Sequence, residues 1–233
     1  MTIRCHKLGL LMTEPKLKAD KDAGNLSETA KSYLRDIWLQ KTYGYKEPSA
    51  PSIEILKGLM CEADSMSLVQ SVLGGEFRTK NLETFLLHTF NEDGLAGTPD
   101  IILQDCVEDI KTSWSLRTFY EADGSNSTYF WQSVGYMMLT GIKSYRLIYC
   151  LVPTPEELLQ REIDKLSYAY GRNSLDPNYQ KAVEQIKHNN NLITKLPNEK
   201  RIKVFNFALT EADTDKVNAK LKKAQEFYNQ ISL

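Results

Sequence analysis

The sequence predicts an α/β (α+β) protein with a central mixed β-sheet flanked by helices, and three observations carry that reading. Segments with apolar residues at helical spacing alternate with short β-rich runs, in the order helices, a meander of strands, helix, strand, helices, strand, helix. Glycine, proline and capping residues mark the junctions. Hydrophobic residues make up 42% and aromatics 10% of the 233 residues, enough for a core and too many for a disordered chain.

Residues 13–25 are polar and read as a loop. Ser27 is placed to cap a helix in which Ala30, Leu34, Ile37 and Trp38 recur at helical spacing, ending near Tyr43 and Gly44. Pro48 and Pro51 bracket a turn, and a second helical segment runs from about Ile53 to Leu73, stopping at Gly74 and Gly75. Phe77, Thr79, Phe85, Leu87 and Phe90 point to two short strands, with a turn at Asn91-Glu92-Asp93-Gly94. Leu95 to Leu103 reads as a strand broken by Gly97 and Pro99. Cys106 to Lys111 reads as the next strand, with Gln104 and Asp105 at the tip of the hairpin between them. Thr112 to Ser127 is a loop leading to a helix over Thr128–Leu139 closed by Gly141, and Tyr145 to Val152 is a buried strand.

Thr154-Pro155-Glu156-Glu157 has a threonine cap, a proline in the first turn and an acid three residues after the cap, so a helix starts there and runs to about Tyr170. Arg201 to Phe207 alternates as a strand, and Thr210 to Ile231 is a final amphipathic helix. The length suits one domain over residues 1–233, with a core over about 26–152 and a C-terminal extension over about 153–233.

The formal charge is −1, which argues against a protein that coats long nucleic acid through a uniformly basic surface. Residues 51–130 carry 5 basic and 13 acidic side chains, whereas residues 181–233 carry 10 basic and 6 acidic ones. An acidic centre with a basic flank suits a metal site that handles phosphodiesters. Cys5, Cys61, Cys106 and Cys150 stand alone, which weighs against a zinc ribbon or an iron–sulfur cluster and predicts buried free thiols in a reducing compartment. The first residues contain no long apolar stretch, and no run approaches the ~20 apolar residues of a membrane span. A cytoplasmic protein with no membrane partner is therefore expected.

The stretch richest in chemistry is Gly97-Thr98-Pro99-Asp100 followed by Val107-Glu108-Asp109-Ile110-Lys111. Alternate side chains of a strand share a face, so Asp109 and Lys111 point one way and Glu108 the other. A hairpin can bring Asp100 beside Asp109. Two converging carboxylates repel unless a cation joins them, and hard oxygen ligands are what Mg²⁺ prefers. A lysine two residues on can orient or deprotonate a water, or offset charge on a phosphoryl oxygen. Alone, Asp-x-Lys is too short to distinguish this from an ordinary solvated cross-pair. Two further features sharpen the reading: Gln132 and Tyr136 share a helix face, and Lys57-Gly58 precedes Glu62, which offers a third carboxylate.

In this order, Lys57-Gly58 with Glu62, Gly97-Thr98-Pro99-Asp100, Asp109-Ile110-Lys111 and Gln132-x-x-x-Tyr136 resemble the PD-(D/E)xK nuclease superfamily. Within it, the chain is most similar to the RecB-type and YqaJ/lambda-exonuclease-like branch found in phage recombination nucleases. The resemblance spans residues 57–136 and implies a restriction-endonuclease-like core. It implies that Glu62 is the first-motif acid and Asp100 the central metal-binding aspartate. Asp109 would be the acid of (D/E)xK, the Ile110 carbonyl a metal ligand and Lys111 the catalytic lysine. Gln132 and Tyr136 would hold substrate and active-site geometry. Mg²⁺ is the implied cofactor, with Mn²⁺ able to substitute. The implied partners are DNA, as double-stranded ends, and a single-strand annealing protein; a homo-oligomer stays open, and the location would be the host cytoplasm if the chain is phage-encoded. The aspartate at Asp109 is the less usual acid of this branch.

Other residues leave alternatives open. His88 is close to the site and either touches phosphate or is structural. Trp114 and Phe119 either stack on a splayed base or pack in the core. Arg78, Lys80 and Arg117 are candidate phosphate contacts. Lys216, Lys220, Lys222 and Lys223 form either a solvated face or part of a DNA-facing one. The leading expectation is a metal-dependent exonuclease on duplex ends. The alternatives are a restriction- or structure-specific endonuclease and a catalytically inactive DNA-end-binding accessory protein.

Overall fold

The computed structural model describes residues 1–75, 78–81, 83, 85–90 and 93–233, with residues 85–90 and 93 described by backbone alone. Phe77, the Asn91-Glu92 half of the predicted turn and the His88 side chain lie outside the described residues. The chain opens with β1 (Thr2–Arg4), α1 (Cys5–Leu11), α2 (Lys18–Asp22), α3 (Glu28–Tyr43), α4 (Ile53–Met60) and α5 (Glu62–Leu73). Then come β2 (Phe85–Phe90), β3 (Asp93–Gly97), β4 (Ile101–Ile102), β5 (Val107–Thr112), α6 (Leu116–Glu121), α7 (Ser127–Thr140) and β6 (Ser144–Cys150). The chain continues with α8 (Glu156–Ala169), α9 (Pro177–Lys195), a 3-10 turn (Asn198–Lys200), β7 (Ile202–Ala208) and α10 (Glu211–Tyr228).

The strands form two sheets. One has the order β1-β3-β2, with β1 parallel and β2 antiparallel to β3. The other has the order β4-β5-β6-β7 and is mixed, as expected: β5 and β6 are parallel, and the outer pairs are antiparallel. Both faces of the four-stranded sheet are covered. Val107, Tyr145 and Leu147 pack with Tyr136 and Met137 of α7 on one face. Ile148 and Cys150 pack with Cys61, Leu68 and Val69 of the α4–α5 segment on the other. Helix α7 also contributes Val134 to a cluster with Ile3, Leu8, Leu11, Ala30, Leu34, Val217 and Leu221, so it lies between the sheet and the layer built by α1, α3 and α10.

Several junctions form as the residues dictate. The Ser27 hydroxyl accepts the Ala30 N–H at 3.0 Å and starts α3, and Gly44 ends it at φ 66, a conformation open to glycine at no cost from a Cβ. The β4–β5 hairpin has the expected arrangement, Ile101 opposite Glu108 and Ile102 opposite Val107. The four cysteines are buried and free.

Other expectations need correction. The helical segment from Ile53 to Leu73 breaks at Cys61, making Glu62 the first residue of α5. Leu95 to Leu103 is two strands in two different sheets, because the Gly97-Thr98-Pro99 segment carries the chain from β3 to β4. The linker after β5 contains α6, started by a capping box between Ser115 and Thr118. Helix α8 begins after Pro155 with no side-chain cap; the Thr154 N–H instead donates to Asn190 Oδ1 at 2.7 Å. Residues 2–4, 5–11, 18–22 and 177–195 are ordered elements that sequence periodicity missed. For α9 a signal was present: Asp176 caps it, accepting from the Asn178 N–H at 2.7 Å, and Pro177 occupies the first turn.

Candidate active site

The site forms where strand pairing stops. β4 pairs with β5 at Val107 and Glu108, and among the described residues no strand pairs with that edge of β5 from Asp109 onward. Asp100, just before β4, fills this gap: its carboxylate accepts the Ile110 N–H and contacts the Asp109 carboxyl. In an extended strand the carbonyl of a residue points to the same edge as its N–H, so the Ile110 C=O faces the same gap. The chain approaches through Gly97, where a Cβ would stand 2.6 Å from the Tyr136 ring and 3.0 Å from Cys5 Sγ. Glycine lets β3 pass against α7, and Asp100 follows three residues later.

Asp109 is buried and held on two sides. Gln132 Nε2 donates to Asp109 Oδ1 at 3.2 Å and lies 3.3 Å from the Tyr136 hydroxyl. Lys111 Nζ approaches Asp109 Oδ2 to 2.6 Å as an ion pair. Lys111 also stands over the Tyr129 ring, 5.0 Å from its centroid. Burial, reinforced by Asp109, pushes the Asp100 carboxyl up to about 7. Burial alone would lower the Lys111 ammonium, but Asp109 and Asp100 outweigh it and hold it above its ordinary value.

Asp100, Ile110, Lys111, Thr112 and Tyr129 line a cleft of ≈ 440 Å³, closed on the other side by Ile55, Leu59 and Met66 and by Glu62 with Lys80. The structure thus brings together Asp100, Asp109, Ile110 and Lys111, with Gln132 and Tyr136 behind them. Glu62 is not drawn into that group. It lies on the cleft wall, 2.5 Å from Lys80 Nζ, and no three acidic, histidine or cysteine side chains among the described residues cluster as a metal cage. Gln132 and Tyr136 are each only 5% exposed, so they support Asp109 from beneath instead of reaching into the cleft.

Some candidate DNA contacts are structural. Arg78 is buried and ion-paired to Glu108 at 2.6 Å, and Phe119 is in the core. Trp114 lies beside Lys57, whose ammonium is 5.7 Å from the indole centroid. Arg117 pairs with Glu121 at 2.9 Å but remains on the surface, with its side chain 85% exposed. Two residues acquire a place the sequence did not suggest. Tyr129 lies one turn before Gln132 on the same face of α7, and that i, i+3 spacing was the available signal. Lys57 is fully buried and donates to the Ser113 and Trp114 carbonyls at 2.9 Å each, tying α4 to the end of β5; burial pushes its pKa down to about 8.

The donor set fits a hard divalent cation. Two carboxylates converge at the open edge of β5, and a main-chain carbonyl faces the same gap.

No family model matches the chain, and no curated protein sequence matches it. Solved structures do. A phage-related exonuclease from Haemophilus somnus 129PT superposes with a TM-score of 0.75 at 25% identity, covering 99% of this chain and 94% of that one. The chain has the phage-type exonuclease fold. An alkaline exonuclease from Laribacter hongkongensis shares this exonuclease fold, with a TM-score of 0.60 at 13% identity over 98% of this chain and 90% of that one. The same enzyme in complex with dAMP matches with a TM-score of 0.60 at 12% identity, covering 97% of this chain and 89% of that one. The resemblance carried by residues 57–136 therefore extends, as fold, over nearly the whole chain. Among the described residues no helix is long and apolar enough to cross a membrane.

Proposed function

We propose that the chain is a divalent-metal-dependent deoxyribonuclease that hydrolyses phosphodiester bonds at the ends of duplex DNA. One observation carries the reading: Asp100 and Asp109 converge with Lys111 at the open edge of β5, at the mouth of a cleft, in a chain with the exonuclease fold. The phage-related exonuclease and the dAMP-bound relative support DNA as substrate and phage-type recombination or DNA processing as the setting.

In this reading Asp100, Asp109 and the Ile110 carbonyl hold Mg²⁺, with Mn²⁺ as a substitute, and Glu62 serves from the cleft wall. When bound, the metal polarises the phosphate and offsets charge on the leaving oxygen. Lys111, kept protonated by its two aspartates, aims a charged donor at the oxygen where negative charge develops. Gln132 holds Asp109, and Tyr136 backs Gln132. Water attacks phosphorus and gives up a proton to solvent, the P–O bond to the leaving oxygen breaks, and that oxygen takes up a proton from solvent. Ile55, Leu59 and Met66 give the cleft an apolar wall that accommodates a nucleoside.

Digestion of linear and circular duplexes, end-labelled on either strand end, tests this with Mg²⁺ and again with EDTA. The expected result is loss of nucleotides from linear ends, an intact circle, and no reaction in EDTA. A cut circle makes the protein an endonuclease. End binding without cleavage under any divalent metal makes it an accessory protein.

A further inference from the structure

The lysine run near the C-terminus has no place in the cleft described above. Lys216, Lys220, Lys222 and Lys223 line a separate cavity of ≈ 510 Å³ together with Met12, Glu14, Gly24, Trp131, Ala219 and Glu226. It lies between α10, the segment after α1, and α7. Trp131 is adjacent in sequence to Gln132 but packs with the other cluster, edge to face with Phe130 at 5.0 Å. Helix α7 therefore presents Gln132 to the candidate active site and Trp131 to this cavity.

The lysines differ in what holds them. Lys220 is fixed from below, donating to the Asn25 carbonyl at 3.3 Å and lying 3.8 Å from Glu14. Lys216, Lys222 and Lys223 are exposed and make no ion pair with any described residue. The chain as a whole is at −1, so four lysines against Glu14 and Glu226 around one indole-walled cavity are a local excess of positive charge. Charge that follows a phosphate backbone, beside an aromatic wall that takes a base without reading it, is the chemistry of sequence-tolerant single-strand binding.

We infer that the Trp131 cavity is a second nucleic-acid site, outside the candidate active site, that binds single-stranded DNA with a base against Trp131 and phosphates on Lys216, Lys222 and Lys223. The choice of DNA as the polyanion rests on the nuclease reading. An acidic peptide is the competing occupant, but it gives no role to the indole that a base would fill.

The test measures binding of a fluorescent oligothymidylate and of an abasic strand with the same number of phosphates, with Ca²⁺ in place of Mg²⁺. The triple variant K216Q/K222Q/K223Q should bind the oligothymidylate at least tenfold more weakly at low salt. Its slope of log affinity against log salt should be shallower by about 2, since each neutralised single-strand phosphate contributes about 0.7. Trp131→Leu should lose about fivefold or more toward the oligothymidylate and little toward the abasic strand. Hydrolysis of thymidine 5′-monophosphate p-nitrophenyl ester and the melting temperature of the triple variant should match wild type. Unchanged binding and slope in the triple variant overturn the inference, as does an acidic peptide binding wild type while oligothymidylate does not. A wild-type protein that cleaves no DNA but shows these binding losses would sink the nuclease reading and leave this site standing.

Discussion

Lys111 is where charge, ring and carboxylate meet, and its neighbours separate two kinds of effect. Its ammonium lies against Asp109 and over the Tyr129 ring. Losing one preorganised charged donor of this kind costs on the order of 10²–10³ in rate, so Lys111→Ala should lose cleavage by about that factor while still binding a DNA end in Ca²⁺. Single-turnover cleavage beside equilibrium binding checks this; equal losses in both would make Lys111 a phosphate anchor. Tyr129 acts through Lys111. A cation–π contact is worth about 0.5–2 kcal/mol, so Tyr129→Leu should slow cleavage by about 2- to 30-fold and Tyr129→Phe should leave it near wild type. A Phe variant as slow as the Leu variant would shift the role from the ring to the hydroxyl.

Asp100 carries the pH dependence. Its carboxyl, pushed up to about 7 in the fold from 3.8, keeps a proton that the unfolded chain releases above about pH 4. The folded state then binds more protons than the unfolded one, so metal-free stability falls as pH rises from about 4 to 7 and levels off beyond. Asp100→Asn removes that titration. Melting curves in EDTA should show the variant gaining on wild type through this window; parallel curves would mean that the Asp100 carboxyl is not raised in the fold.

At the scale of the element, β5 has two chemical sides. Asp109 and Lys111 face α7 and the cleft, while Glu108 faces the opposite layer, as strand parity requires. Parity alone makes Glu108→Gln harmless. The structure makes it costly for another reason: Glu108 is fully buried, bound to Arg78 at 2.6 Å and to Arg146 at 2.8 Å. Removing one member of a buried pair leaves an uncompensated charge, at a cost of about 3–5 kcal/mol. Glu108→Gln should lose stability of that order in urea, yet at low temperature its folded fraction should cleave at close to the wild-type rate. A stable but inactive variant would place Glu108 in the chemistry.

For the whole molecule, α10 closes the layer begun at the N-terminus. Leu221 and Val217 are buried against Leu8, Leu11 and Leu34, more than 180 residues earlier in the chain. Leu221→Ala should therefore destabilise by about 2–5 kcal/mol, the usual cost of a buried leucine truncation. Hydrogen exchange should show α1 and α3 opening together with α10. If only α10 loses protection, the helix is an appendage and not part of that core.

What was legible in the sequence was local. Period-two alternation assigned Asp109 and Lys111 to one face and Glu108 to the other, Ser27 and Gly44 marked the ends of α3, and the i, i+4 spacing put Gln132 and Tyr136 on one side of α7. Each follows from backbone geometry within a few residues. The tertiary structure alone decided what stands opposite each face. It set Lys80 beside Glu62, two arginines on Glu108, and Trp131 among lysines 85 to 92 positions away. Periodicity encodes which way a side chain points, but its partner depends on long-range packing, where burial and charge compensation across the whole chain select one arrangement.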